Sequence, residues 1–204
     1  MNFLKKWAGC IISLVTGVCG LALSVLVGMK SYAMVDATAI GGEKTVITDE
    51  VTKAFKVLTD KELYNKSKQL GIGDEFATMK LFAIITLVVA ILLVVYAIIL
   101  LLKNLNVIKL ESKIFDIAGI CLFVLLLVGT IGLIASSNAY ASAMEKALNG
   151  VISMATASVP EQYLSLLVKE CSVSIGFYQP AMLVISIISA LIFTTFTFLN
   201  RKSA

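Results

Sequence analysis

Apolar and polar residues follow one another along the chain in long blocks rather than in short periods. Each apolar block is long enough to cross about 30 Å of hydrocarbon as a helix. Residues 81–102 give the clearest pattern, because they hold no charged residue and a lysine flanks each end. The pattern predicts an all-α integral membrane protein, a bundle of four transmembrane helices at residues 9–29, 81–102, 117–135 and 180–199.

Small residues recur every three or four positions along the first block. On a helix they fall within about 100° of the circumference. Such a smooth face suits the close packing of membrane helices. We call this face the first stripe, and its members are Gly9, Ser13, Gly17, Gly20, Ser24 and Gly28.

A second stripe lies on the third block and consists of Gly129, Gly132, Ser136 and Ala139. Helix-forming sequence continues past this block to about residue 148, and Asn149-Gly150 then predicts the helix end. One long helix is therefore expected to project several turns beyond the bilayer. Since the first and third helices would cross in the same direction, we expect the two stripes to bring them together.

Residues 33–77 form the first polar region, and their pattern predicts a small extracellular cap. The β-branched residues on both sides of Gly41-Gly42 indicate a β-hairpin. Thr59 begins a capping box that starts a helix, and Gly71 is expected to end that helix. Helix is then expected to resume at Asp74 and to run into the membrane. The cap is therefore predicted to be mostly helical.

Residues 149–177 form the second polar region. Pro160 suits the first turn of a helix, which we expect over residues 160–172. This helix would be amphipathic, with an apolar face made of Tyr163, Leu164, Leu167 and Cys171. It would pack on the cap or lie near the lipid headgroups.

Basic residues in the short segments beside the membrane predict the orientation of the chain. The two longer polar regions hold more acidic than basic residues, so they are expected outside. Both termini are therefore expected in the cytoplasm, with the protein in the plasma membrane. The basic residues that would share the cytoplasmic side are Lys5, Lys6, Lys103, Lys109, Lys113, Arg201 and Lys202.

The first block has a second interpretation as a cleaved signal peptide. Ser31-Tyr32-Ala33 has small residues at the two positions that signal peptidase reads. The apolar stretch is longer than a usual signal-peptide core, and the first stripe continues along its whole length. An uncleaved membrane helix is the preferred interpretation, and removal of residues 1–33 is the alternative.

The amino-acid composition limits the kinds of catalytic and metal-binding site that the chain can form. Of the 204 residues, 59% are hydrophobic, and none is histidine, the commonest general base and transition-metal ligand. Of the four cysteines, only Cys171 falls outside the predicted spans, so no disulfide is expected between the external regions. The net charge of +4 is modest and is interpreted as an orientation signal, not as affinity for nucleic acid. We therefore expect no enzyme activity, no cofactor and no metal site.

These patterns predict a non-catalytic structural or accessory subunit that lies in the lipid bilayer. Its extracellular cap would be presented to a protein partner or to another copy of the chain. The alternative is an oligomeric channel or small transporter, with the threonine-rich face of the fourth helix lining a path. An ion-coupled carrier is disfavoured, because no charged residue lies in the middle of a predicted span.

The layout of four spans, a larger first external loop and a long third helix is similar to that of claudin-like and tetraspanin proteins. The resemblance is one of topology alone, because the paired loop cysteines and the tryptophan motif of those families are not found and Cys171 is solitary. It implies a four-helix membrane fold and assigns no functional residues.

Overall fold

The structure, a computed structural model, describes residues 2–25, 33–39, 44–47, 61–108, 112–158, 168–175 and 178–202. Its helices are α1 (Asn2–Val25), α2 (Lys61–Gln69), α3 (Gly73–Asn104), α4 (Ser112–Ala157) and α5 (Tyr178–Lys202). Its strands are β1 (Ala33–Ala39), β2 (Lys44–Ile47) and β3 (Val168–Ile175). Helix therefore dominates the described part of the chain, as the sequence predicts.

Three of these helices are long and apolar enough to cross a membrane, namely Gly73–Asn104, Lys113–Ala157 and Gln179–Phe198. The apolar stretch of α1, Trp7–Leu23, is shorter within the residues described. Apolar helices of spanning length are thus confirmed at three of the four predicted positions. A fourth span, in α1, stays a prediction.

The chain divides into two compact units. We call Met1–Leu26, Phe82–Gly132 and Pro180–Ala204 the apolar unit, and Val27–Leu81 and Leu133–Gln179 the polar unit. The outward faces of the apolar unit carry large aliphatic side chains, as expected of a surface that meets lipid rather than water. Examples that are at least half exposed are Ile11, Val18, Ile98, Val124, Val128 and Leu191.

Aromatic side chains form the core of the polar unit. Phe76 of α3 is fully buried and meets the ring of Tyr140 of α4 edge-on, with ring centres 5.8 Å apart. The ring centre of Tyr64 of α2 lies 6.3 Å from that of Phe76, although Tyr64 itself is exposed. The Phe76–Tyr140 contact packs α3 on α4 within this unit, because both rings are buried and a large apolar area is removed from water.

A three-stranded antiparallel sheet lies in the polar unit, in the order β2-β1-β3. The predicted hairpin is confirmed by the pairing of Thr38 with Lys44 and of Val35 with Ile47. The predicted helix at 160–172 is wrong where it can be compared, because residues 168–172 belong to β3, while residues 160–167 lie outside the described residues. The all-α prediction is therefore corrected by this sheet.

α4 is longer than predicted and runs to Ala157. Asn149-Gly150 lies within the helix, so the predicted end near residue 148 is wrong. The physical reason is that a C-cap needs a residue in the left-handed conformation, and among the described glycines only Gly71 has a positive φ, so Gly150 keeps a helical backbone. The helix consequently continues with its backbone intact.

Two helix ends are closed by the same backbone motif. At the end of α2, Ile72 N–H donates to the Ser67 carbonyl at 2.9 Å, and Gly71 has a φ of 76°. At the end of α3, Val107 N–H donates to the Leu102 carbonyl at 3.0 Å, and Asn106 has a φ of 59°. Both are Schellman caps, in which glycine or asparagine takes the left-handed position. The predicted helix stop at Gly71 is thereby confirmed.

Candidate functional site

The middle of the first stripe lies against α3. Gly17 is buried, and a Cβ built on it would lie 2.7 Å from Val94 Cγ2 and 2.9 Å from both the Ala90 carbonyl oxygen and the Val94 nitrogen. The last two atoms belong to the backbone, which cannot rotate away. A residue without a side chain is therefore required for the observed approach of α1 to α3.

Of the other described glycines of the first stripe, Gly20 is nearly as tightly packed as Gly17, and Gly9 has more room. A Cβ on Gly20 would lie 2.9 Å from the Ala90 Cβ and 3.4 Å from the Met182 Cε of α5. A Cβ on Gly9 would lie 3.6 Å from the Phe193 ring, which is an ordinary contact. The first stripe thus meets α5 as well as α3, and its tightest point is Gly17.

The serines of the first stripe differ from the glycines. Ser13 is fully buried, and its hydroxyl has no hydrogen-bond partner among the residues described. One turn further on, the Thr16 hydroxyl lies 2.7 Å from the Ser189 hydroxyl of α5 and 2.7 Å from a carbonyl of its own helix. The Ser24 side chain and all of Gly28 lie outside the described residues.

The second stripe also faces α3 in the apolar unit. A Cβ on Gly129 would lie 3.2 Å from the methyl groups Ile85 Cγ2 and Thr86 Cγ2. A Cβ on Gly132 would overlap the ring of Phe82. The expectation that the two stripes face each other is wrong at these glycines, because the nearest atoms belong to α3 on the second stripe and to α3 and α5 on the first.

The remaining members of the second stripe lie in the polar unit, beside an open cavity of about 230 Å³. Ser136 and Ala139 line it together with Asp74, Glu75 and Thr78 from the start of α3. The Ser136 hydroxyl donates to a carbonyl of its own helix at 3.1 Å. The two carboxylates lie in the first turn of α3, where they stabilise the helix through its dipole. This role accounts for them without a bound cation.

One tight contact of the apolar unit was not anticipated from the sequence. The Tyr96 hydroxyl donates to the Phe115 carbonyl at 2.9 Å, which ties α3 to the start of α4. Gly119 lies beside this tyrosine, and a Cβ there would overlap both the Tyr96 hydroxyl and the Phe193 ring. The available signal was a glycine of the block 117–135 that lies outside the second stripe, together with the only tyrosine of residues 81–102.

Cys171, a residue of β3, carries a thiol, which is a nucleophile when it is ionised. It is buried, and this burial raises the pKa of the Cys171 thiol, which lowers its reactivity because the thiolate is the nucleophile. The described residues contain no group of three or more side chains suited to hold a metal ion. The notable features of the described residues are therefore the close helix contacts and the exposed surfaces.

Comparison with known proteins gave no matching family model and no matching curated protein. The class of protein that the fold defines is thus a mostly helical protein with three apolar helices of membrane-spanning length.

Proposed function

We propose that the protein is a non-catalytic structural or accessory subunit of the plasma membrane. In this proposal the chain has four spans and cytoplasmic termini, and its polar unit is an extracellular cap for a protein partner or another copy. The observation that carries the proposal is the length of α4, which is one helix of 46 residues. At 1.5 Å per residue such a helix is about 69 Å long, whereas the hydrocarbon core measures about 30 Å.

The length of α4 exceeds what a simple membrane anchor needs. Its first part carries the apolar contacts of Gly119, Gly129 and Gly132, and its later part carries Tyr140, which belongs to the core of the polar unit. Further along, Glu145 and Asn149 bind the sheet. A single helix thus supplies side chains to the membrane helices and to the structured cap that a partner would meet.

The connector between α3 and α4 supports the proposed orientation. Lys103 Nζ lies 5.6 Å from the centre of the Phe115 ring, a favourable cation–π distance. A lysine in a short segment beside an apolar helix is typical of the cytoplasmic side, and an aromatic ring is typical of either membrane interface.

Orientation can be tested with two cysteine variants at exposed positions, Lys66→Cys in α2 and Asn106→Cys after α3. A membrane-impermeant maleimide on intact cells is expected to label Lys66→Cys, and to label Asn106→Cys only after permeabilisation. The native Cys171 gives a low background, because it is buried. The reverse labelling pattern would contradict an extracellular cap.

A partner can be tested by amine crosslinking in membranes, followed by purification in mild detergent and mass spectrometry. Lys61, Lys66 and Lys68 of α2 are exposed and are expected to form crosslinks to a partner or to another copy. The matched control replaces all three by arginine, which keeps the charge but removes the reactive amines. A monomer without crosslinks to any other chain would count against the accessory role.

The alternative function, an oligomeric channel or small transporter, is favoured by the exposed threonines of α5. Thr194 and Thr195 are exposed, and each hydroxyl lies 2.7 Å from a carbonyl of its own helix, so both can face lipid or a path between copies. Solute flux in reconstituted vesicles that falls in a Thr194→Val, Thr195→Val variant would support the channel. Oligomers that show no solute flux would contradict the channel function.

A further inference from the structure

The start of α1 lies beside the end of α3 in the apolar unit. Gly17 of α1 faces Ala90 of α3, and the Cys10 thiol donates to the Ala97 carbonyl at 3.2 Å. The contacts thus move towards the end of α3 as α1 is followed back towards its start. The two helices are therefore antiparallel, and the first turns of α1 share one end of the unit with the last turns of α3.

The start of α4 and the end of α5 lie at this same end of the apolar unit. The Tyr96 hydroxyl, near the end of α3, donates to the Phe115 carbonyl at 2.9 Å. The rings of Tyr96 and Phe193 meet edge-on, with their centres 6.1 Å apart. Two helices therefore begin here and two helices end here.

All the charged residues that the structure describes in the apolar unit lie at this end. Among them six are basic and only Asp116 is acidic. One carboxylate can neutralise at most one of the six cations, so the summed charges leave a positive potential there. We call this region the basic end, and its basic residues are Lys5, Lys6, Lys103, Lys113, Arg201 and Lys202.

Two lysines of the basic end flank the connection between α3 and α4. Lys113 is exposed, and Lys103 is half-buried with its Nζ 5.6 Å from the centre of the Phe115 ring. The ring holds this amine beside the start of α4 and does not neutralise it, because an aromatic ring carries no net charge. Positive charge is therefore presented at the surface where the two helices are joined.

Large aliphatic side chains accompany these two lysines. Leu105 and Val107 come shortly after Lys103, and both are more than half exposed. Ile114, next to Lys113, is exposed to a similar degree. Amines beside exposed aliphatic groups fit a ligand that has both an anionic group and hydrocarbon chains. A free phosphate or an acidic peptide would use the amines and leave the aliphatic groups in water.

We propose that the basic end binds anionic phospholipids, with the amines of Lys103 and Lys113 on the lipid phosphate and the side chains of Leu105, Val107 and Ile114 against the acyl chains. The amines would form charge-assisted hydrogen bonds to the phosphate oxygens. Anionic lipids give the cytoplasmic leaflet its negative surface potential, which agrees with cytoplasmic termini. The proposal rests on the proposed function only in requiring that the apolar unit lies in a bilayer, and it needs neither a protein partner nor a channel.

Lipid binding is tested by native mass spectrometry of the full chain in mild detergent, titrated with phosphatidylglycerol or phosphatidylcholine of identical acyl chains. The wild type is expected to bind phosphatidylglycerol at least about tenfold more tightly. Lys103→Gln with Lys113→Gln is expected to weaken phosphatidylglycerol binding about fivefold for each lysine removed and to leave phosphatidylcholine binding unchanged. Equal binding of the two lipids by the wild type would overturn the proposal.

Two control variants separate the basic end from net charge. Lys103→Arg with Lys113→Arg keeps both charges and is expected to keep the wild-type preference. Lys66→Gln with Lys68→Gln removes the same charge from exposed positions of α2 in the polar unit and is expected to change nothing. An equal loss of binding in this second control would overturn the assignment to the basic end. If the glutamine double variant does not fold, Lys113→Gln alone decides, and unchanged binding would overturn the role of Lys113.

A third arm separates a lipid from a free phosphate. Glycerol 3-phosphate carries the same phosphate chemistry without acyl chains, and in excess at matched ionic strength it is expected not to displace phosphatidylglycerol. Displacement would show that the amines alone bind the ligand and would overturn a lipid site. The two proposals can fail separately, because the lipid titration does not depend on orientation, whereas the labelling of Lys66→Cys and Asn106→Cys does.

Discussion

The two stripes of small residues meet the same helix in different ways. A Cβ on Gly17 of the first stripe would lie 2.9 Å from backbone atoms of Ala90 and Val94 in α3, whereas a Cβ on Gly129 of the second stripe would first meet two methyl groups at 3.2 Å, with the nearest backbone atom at 3.9 Å. A side-chain end can shift by a few tenths of an ångström, but a helical backbone moves only with its whole helix. The loss of stability on enlarging a small residue is therefore set by the atoms opposite it and not by its place in a stripe.

The largest effect is expected for Gly17→Leu, because a side chain cannot fit between α1 and the α3 backbone. The cost in unfolding free energy should exceed about 3 kcal/mol, measured by denaturant or thermal unfolding in detergent. Val18→Leu is the matched control, since Val18 is half exposed on the same helix. Equal stability of the two variants would show that the first stripe does not pack on α3.

Gly132→Ala comes next, because its Cβ would overlap the ring of Phe82, a side chain that can move or be shortened. The expected loss is about 1–3 kcal/mol. Phe82→Leu in the same chain should recover part of this loss, and a double-mutant cycle measures the recovery. Strictly additive effects would argue against the contact.

A smaller effect is expected for Gly129→Ala. The added methyl meets Ile85 and Thr86 at 3.2 Å, which is tight but yielding. Alanine also favours helix over glycine by about 1 kcal/mol, so the net change should lie within about 1 kcal/mol of zero. If Gly129→Ala were less stable than Gly17→Ala, the second stripe and not the first would be the more tightly packed on α3.

The smallest effect, and the one of opposite sign, is expected for Ser13→Ala. Its buried hydroxyl has no hydrogen-bond partner among the described residues, so removing it should leave stability unchanged or raise it by about 1 kcal/mol. Thr16→Val removes the bond to Ser189 and should instead cost about 1 kcal/mol. A clear loss of stability in Ser13→Ala would mean that this hydroxyl is bonded.

Features with a strong local signal were predictable from the sequence. The three confirmed apolar helices follow from uninterrupted apolar blocks, and the helix stop follows from Gly71, because glycine takes the left-handed backbone conformation easily. The hairpin of β1 and β2 joins segments that are close in sequence, so turn chemistry was enough to predict it.

Features set by distant contacts were not predictable in the same way. β3 pairs with β1 across more than a hundred residues, and local spacing favoured a helix there. The alternation of Glu170, Ser172 and Ser174 with Cys171 and Val173 was a strand signal that the helical interpretation overlooked. The partner of each stripe was likewise missed, because a stripe shows which face of a helix packs but not which helix it meets.

Ribosomes deliver membrane helices one after another, and early segments can associate before later ones exist. Gly17 and its partners Ala90 and Val94 all lie in the first half of the chain. α1 can therefore dock on α3 before α5 is synthesised, and Met182 and Ser189 of α5 reach α1 later. The tightest interhelical contact of the first stripe is thus expected to form first, and α5 to join the assembly afterwards.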